Sequence, residues 1–238
     1  MIDIHDLSVV YDQDIVALDH IDLTLKDHQC SVIIGKNGSG KSTLLQSIVG
    51  IVDFKGSICV DSVYVDKEHF VEIRNRVGLV FQNPDHQLFM STIYDDLAFG
   101  LINQGLSKED IDNRIQKIAK DLHIEHLLKR SCHKLSGGQK RMVAIATVLV
   151  MNPDVILMDE PSSFLDPMSR RQMINFMKSI NKTIIIATHD LDMALDIADE
   201  VVLLNNGKMI VHDETLNVLK NKQLLEDNGL ELPYCYQR

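Results

Sequence analysis

No apolar run in this chain approaches the roughly 20 residues a helix needs to cross a bilayer, so no membrane span is expected. Basic residues are few: 24 Lys and Arg stand against 34 Asp and Glu, a net charge of −10. That sign argues against nonspecific adhesion to nucleic acid or to anionic membrane surfaces. The small basic cluster Arg74-Asn75-Arg76 reads as a solvated helix end. Four scattered cysteines (Cys30, Cys59, Cys132, Cys235) form no C-x-x-C pair and fit a reducing compartment. The opening Met1-Ile2-Asp3-Ile4-His5-Asp6 lacks the basic and apolar regions of a secretory signal, so the chain is expected to stay inside the cell. There is no internal repeat, low-complexity block or long Pro/Gly/Ser linker. With 238 residues and 45% apolar content, one domain with a sizeable core is expected.

Against these absences stands a set of phosphate-handling motifs. Gly35-Lys36-Asn37-Gly38-Ser39-Gly40-Lys41-Ser42-Thr43 matches G-x-x-x-x-G-K-[ST] between the apolar run Val32–Ile34 and the helical Leu44–Val49. Glycines let backbone N–H groups converge on phosphate oxygens, and a helix N-terminus adds a favourable dipole. Lys41 can reach the β- and γ-phosphates, and Ser42 can offer its hydroxyl to Mg²⁺. Leu135-Ser136-Gly137-Gly138-Gln139 opens a helical stretch over Lys140–Met151. Val155–Met158 is an apolar strand ending in Asp159-Glu160, where open α/β sheets bind ligands. Alternation on an extended chain gives the two acids opposite directions and so different tasks. Asp159 suits Mg²⁺ and Glu160 suits an attacking water.

The pattern along the chain is a nucleotide-binding α/β core. Strands are expected at Ile2–Val10, Ile21–Leu25 and Val32–Ile34, with a hairpin of Ser57–Val60 and Val63–Val65 across Asp61-Ser62. From about Pro84 to Val150 the pattern is helical. Ser107 to Asp110 matches a capping box before Ile111, Ile115, Ile118, Ala119 and Leu122. Val155–Met158 and Ile184–Ala187 read as buried strands, and Val201–Leu204 with Lys208–Val211 as a hairpin across Asn205-Asn206-Gly207. A single domain is expected, with a helical subdomain at about 84–150 and a short C-terminal tail at about 213–238. His123-x-x-His126 has helical (i, i+3) spacing, but two histidines without a third ligand read as a solvated helix face.

Taken together, the motifs resemble the ATPase subunits of ABC transporters over essentially the whole chain. Asp159-Glu160-Pro161 running into Ser163-Phe164-Leu165-Asp166 is similar to that family's D-loop. Thr183–Asp190 resembles the strand leading to its switch histidine, here His189. Gln82 matches the Q-loop glutamine, and Tyr11 the aromatic that stacks on adenine. The resemblance implies an antiparallel β subdomain beside the core, holding the adenine end. It also implies that Ser136, Gly137, Gly138 and Gln139 close over ATP bound to an opposite subunit, with Asp166 at the seam. Gln82 would join Ser42 and Asp159 around Mg²⁺, and His189 would contact the γ-phosphate. Three positions depart from the family pattern: Lys36, Phe164 and Met90-Ser91-Thr92.

A narrower resemblance joins Phe81-Gln82-Asn83-Pro84-Asp85-His86-Gln87-Leu88-Phe89 to energy-coupling ATPases of cobalt and nickel importers and of vitamin importers. The short tail Leu224–Pro233 points to the cobalt/nickel type. This resemblance implies an ATPase on the cytoplasmic face of the cell membrane, peripheral to it. Its implied partners are a transmembrane coupling subunit and a substrate-binding membrane subunit, with no nucleic acid. The ATPases themselves would pair as a homodimer or as a heterodimer with a similar chain. Leu88, Phe89 and Met90 would either receive the transmembrane subunit or pack the helical subdomain. Competing readings are a non-transport ABC ATPase of DNA repair or translation, and a nucleotide sensor without turnover.

Overall fold

A computed structural model describes residues 1–237. β1 (Ile2–Tyr11) and β2 (Ile15–Leu25) lead to β3 (Cys30–Ile34) and α1 (Lys41–Ile48). β4 (Lys55–Val60), β5 (Val63–Tyr64), α2 (Phe70–Arg76) and β6 (Val77–Val80) come next. The chain then makes helices and short 3-10 turns, chiefly α3 (Ile93–Asn103), α4 (Lys108–Asp121) and α5 (Gly137–Leu149). β7 (Val155–Asp159), α6 (Pro167–Ser179), β8 (Thr183–Thr188), α7 (Leu191–Ile197) and β9 (Glu200–Asn205) return to the core. β10 (Lys208–Glu214), α8 (Thr215–Leu219) and α9 (Lys222–Asp227) close it.

The strands form an antiparallel sheet in the order β2-β1-β4-β5 and a second sheet in the order β10-β9-β3-β8-β7-β6. In the second sheet β9, β3, β8, β7 and β6 run parallel, with β10 antiparallel at the edge. Parallel strands are covered on both faces, which is why they read as unbroken apolar runs. Alternation sorts them between two cores. Ile33, Leu157, Ile185 and Val202 face α1 and the antiparallel sheet, while Val32, Ile156, Ile186 and Val201 face the helices. β8 lies between β3 and β7, so the loops after these three strands emerge side by side.

Both expected hairpins form. Asp61 and Ser62 have φ of 46° and 69°, and Asn206 and Gly207 have φ of 49° and 77°. Two left-handed residues between paired strands match the right-handed twist of the strands. β2 begins earlier than expected, at Ile15. Its exposed Ile15 and Val16 pair with Tyr11 and Val10, and register shifts in this ribbon break the period-two signal. The His123/His126 pair does not share a helix: α4 ends at Asp121 and His123 turns left-handed at φ 57°. Among the described residues no group of three or more His, Cys, Asp or Glu could hold a metal ion, and no helix is long and apolar enough to cross a membrane.

Candidate active site

The phosphate loop is shaped by its neighbours as well as by its own sequence. Gly40 caps α1 at φ 104°, and a Cβ there would stand 2.6 Å from the Ala17 carbonyl oxygen of β2. Only glycine fits that approach. Lys41 is buried, and its Nζ donates to the Gly35 oxygen at 2.8 Å and the Lys36 oxygen at 3.0 Å. Burial pulls the ammonium's pKa below its ordinary value, while Glu160 and Asp159 oppose the shift. The Tyr11 hydroxyl sits 3.2 Å from Thr43 Oγ1, which pins the ring beside Ile15, Val16 and Ala17. A cleft of about 440 Å³ unites Tyr11, Asn37, Gly38, Gly40, Lys41, Ser42 and Thr43 with Gln82, Asp159 and Glu160. Gly35 and Ser39 lie behind this surface, Ser39 with a buried hydroxyl that finds no partner.

The two carboxylates share the cleft, contrary to the alternation expected of an extended pair. β7 ends at Asp159, and Glu160 turns to φ 49°, which swings its side chain back to the same side. Asp159 is buried with Oδ1 unpaired. Burial pushes its pKa up, the Ser42 hydroxyl draws it down, and Glu160 adds to the rise. A buried carboxylate with a free lone pair beside a hydroxyl suits a hard divalent cation. Glu160 is held differently: its carboxylate accepts from Thr188 Oγ1 at 3.0 Å and from the His189 main-chain N–H at 3.1 Å. His189 Nδ1 lies 2.8 Å from Glu160 Oε1. The ring of His189 thus addresses Glu160 and borders a neighbouring groove, not the cleft.

Gln82 reaches the cleft because α5 grips its backbone. Arg141, fully buried, donates from Nη1 to the Phe81 oxygen at 2.7 Å and from Nη2 to the Gln82 oxygen. Gln87 accepts from the Phe81 N–H at 3.2 Å and donates to the Ala144 oxygen and Thr147 Oγ1, each at 2.7 Å. Lys140 adds an ion pair to Asp85 at 2.6 Å. Sequence reading missed these roles of Arg141 and Gln87. The available signal was a guanidinium opening the apolar run Met142–Ala146.

Ser136, Gly137, Gly138, Gln139 and Asp166 lie apart from the cleft, around a depression of about 590 Å³. Ser136 is the N-cap of α5, and its capping box with Gln139 opens the helix at Gly137, ahead of the expected Lys140. Asp166 caps α6 by accepting from the N–H groups of Met168 and Ser169 at 2.9 and 3.0 Å. Phe164 is 73% exposed at φ 68°, and its carbonyl oxygen would stand 2.9 Å from a Cβ on Gly138. The loop between β7 and α6 therefore packs on the glycines that open α5.

A phosphate loop, an acid pair and a capped Ser-Gly-Gly-Gln helix on one such sheet agree with the family model described as ABC transporter, which matches residues 18–163. The chain belongs to the ABC transporter family. As an ABC ATP-binding domain it is 42% identical over 236 residues to the energy-coupling factor transporter ATP-binding protein EcfA of Carboxydothermus hydrogenoformans, covering 98% of this chain and 87% of that one. Among solved structures it is similar to cbiO1 of Clostridium perfringens, part of the ABC transporter complex cbiONQ. That match has 36% identity and a TM-score of 0.82, covering 95% of this chain and 93% of that one. It is also similar to the ATP-binding cassette MJ0796 in a dimeric post-hydrolysis state bound to ADP and Pi, with 26% identity and a TM-score of 0.84 over 90% of this chain and 99% of that one. An ABC ATPase fold, with antiparallel and parallel sheets and inserted helices, is thus the architecture of this protein.

Proposed function

We propose that the protein is the ATP-hydrolysing subunit of an energy-coupling-factor importer. The observation that carries the reading is the placement of Glu160, anchored by Thr188 and His189 at a cleft that also holds Lys41 and Asp159. In hydrolysis a water oxygen attacks the γ-phosphorus, the bond to the β–γ bridging oxygen breaks, and ADP and inorganic phosphate leave. Such a transfer is driven by positioning and charge stabilisation. Loop N–H groups and Lys41 hold the phosphates, Tyr11 offers its ring to the adenine, and Glu160 takes the water's proton. His189 orients Glu160, and through it the water. Ser42 and Asp159, with Gln82 nearby, would hold Mg²⁺, which supplies charge neutralisation on the phosphates when bound.

The Ser136–Gln139 depression lies outside the cleft, so one chain carries two half-sites and a second cassette completes each. In that pairing Ser136 and Gly138 meet the partner's ATP, with Asp166 near the seam. Phe89, 64% exposed and packed edge-on against Phe99 at 5.2 Å, offers an apolar surface just beyond the Q-loop for a transmembrane subunit. Peripheral attachment to the cytoplasmic face of a membrane results from that docking. The helical subdomain would span about 84–150 and turn with Gln82. The cobalt/nickel type is the first reading, with the vitamin type as the second. Pull-down from native membranes tests both. A cobalt- or nickel-type membrane pair would support the first, a second ATPase with a vitamin-binding subunit the second, and no membrane partner would overturn both.

A further inference from the structure

A buried acid holds the main chain beneath the exposed ring of Phe89. Asp96 is 6% exposed, and its Oδ1 alone accepts from the Phe89 N–H and the Met90 N–H, each at 3.0 Å. Its Oδ2 is buried without a partner. Burial pushes the carboxyl's pKa up, and the two N–H groups oppose that rise. A buried carboxylate with an idle oxygen is costly to a fold.

α3 itself has no need of this acid. Its first N–H groups are already taken: Ile93 donates to the Arg130 oxygen at 3.0 Å, Tyr94 to the Leu128 oxygen at 2.9 Å and Asp95 to Thr92 Oγ1 at 3.2 Å. The Asp96 N–H makes an ordinary helical bond to the Thr92 oxygen at 3.1 Å. The carboxylate is thus spent wholly on residues 89 and 90. About one turn farther along α3, Phe99 meets the Phe89 ring edge-on at 5.2 Å. One helix therefore holds Phe89 twice, by its main chain through Asp96 and by its ring through Phe99. Leu88, the residue before, is buried, so the chain leaves the core at the point of the grip. Ile102, three residues beyond Phe99 and likewise exposed, extends the apolar surface along α3. An idle buried acid and a large ring left in water both work against an isolated fold, and both serve a fixed apolar platform.

We propose that Asp96 is the positioning residue of the docking surface: by holding the Phe89 and Met90 N–H groups it presents Phe89, beside Phe99, to an apolar helix face of the transmembrane subunit. A ring fixed before contact loses less freedom on binding, so the grip strengthens docking without adding a contact. The inference rests on the reading of Phe89 as the surface that meets that subunit. Asp96 does not line the nucleotide cleft, so hydrolysis by the isolated chain does not call on it.

The experiment is co-sedimentation of the full chain with native membrane vesicles stripped of peripheral protein by urea, with liposomes of the extracted lipid as the blank. The parent, Phe89→Asp, Asp96→Ala and Asp96→Asn are compared, and basal phosphate release is measured on each. The expected result is binding weakened about tenfold in Asp96→Ala, with phosphate release within about twofold of the parent. Asp96→Asn should bind within about twofold of the parent, because its amide oxygen can accept the same two N–H groups. Parental binding by Asp96→Ala, where Phe89→Asp loses it, overturns the role of Asp96 alone. So does an equal loss in Asp96→Ala and Asp96→Asn, which would assign the effect to charge. Parental binding by Phe89→Asp, or binding to bare lipid as strong as to the membranes, would instead overturn the docking reading, and the role of Asp96 with it. Asp96→Leu, which fills similar space without an acceptor, is read the same way if the alanine variant does not fold.

Discussion

His189 Nδ1 lies 2.8 Å from Glu160 Oε1, and the His189 main-chain N–H reaches the same oxygen at 3.1 Å. With the Thr188 hydroxyl at 3.0 Å, three groups from the end of β8 fix a carboxylate carried by the end of β7. Neighbouring parallel strands make this contact possible, because their C-terminal ends are adjacent in the sheet.

Replacing that acid separates binding from turnover. Glu160→Gln leaves Lys41 and the loop N–H groups untouched, so ATP affinity should stay within about twofold, while phosphate release falls about 10²- to 10⁴-fold for want of a proton acceptor. ATP should then trap a dimer, visible by size-exclusion chromatography. Turnover near the parent rate would show that another group takes the proton.

Arg141 is expected to act through Gln82. Arg141→Met leaves the Phe81 and Gln82 carbonyls without their buried donor, a loss of about 2–3 kcal/mol. For a chain of this length that lowers the melting temperature by about 5–10 °C. Phosphate release should fall as well, since Gln82 is no longer held at the cleft. A variant with parental melting and turnover would refute this positioning role.

Phe89 and its neighbour Leu88 should part company. Phe89 is 64% exposed and Leu88 4% exposed. Phe89→Asp should change stability by no more than about 0.5 kcal/mol, as exposed substitutions do, yet reduce transport in reconstituted vesicles while ATPase activity persists. Leu88→Asp should destabilise the fold outright, because it buries an unpaired charge. Thermal melting beside a transport assay reads both, and unfolding of Phe89→Asp would assign that ring to packing.

Acid should weaken the link between α6 and α7. Burial raises the Asp190 pKa, but Arg170, bonded to it at 3.0 and 3.1 Å, and the Met193 N–H together hold it below the ordinary 3.8. A depressed carboxylate stabilises the fold fully above its unfolded pKa, and that contribution is lost as pH falls through the lower folded value. Arg170→Ala should therefore cost about 1–2 kcal/mol at neutral pH, a difference that shrinks below about pH 4. Melting curves from pH 7 to pH 3 measure it. A constant offset across that range would place the loss in packing.

Local chemistry was legible in the order of residues. The Gly35–Thr43 loop, the acid pair after an apolar strand and the Asn-Gly hairpin depend on near neighbours, whose backbone geometry is set by residue type. The direction of Glu160 was not legible, because a single left-handed residue ended the alternation that the strand implied. Nor was the break at His123, which dissolved the helical histidine pair.

The sequence by itself determined which groups could handle phosphate and that the core would be α/β, since short-range spacing fixes both. Tertiary structure alone decided which of them meet. Arg141 reaches the Gln82 backbone and Gly40 admits the Ala17 carbonyl only after distant segments pack. Such contacts depend on close approach between elements remote in the chain, and no periodicity in the sequence records them.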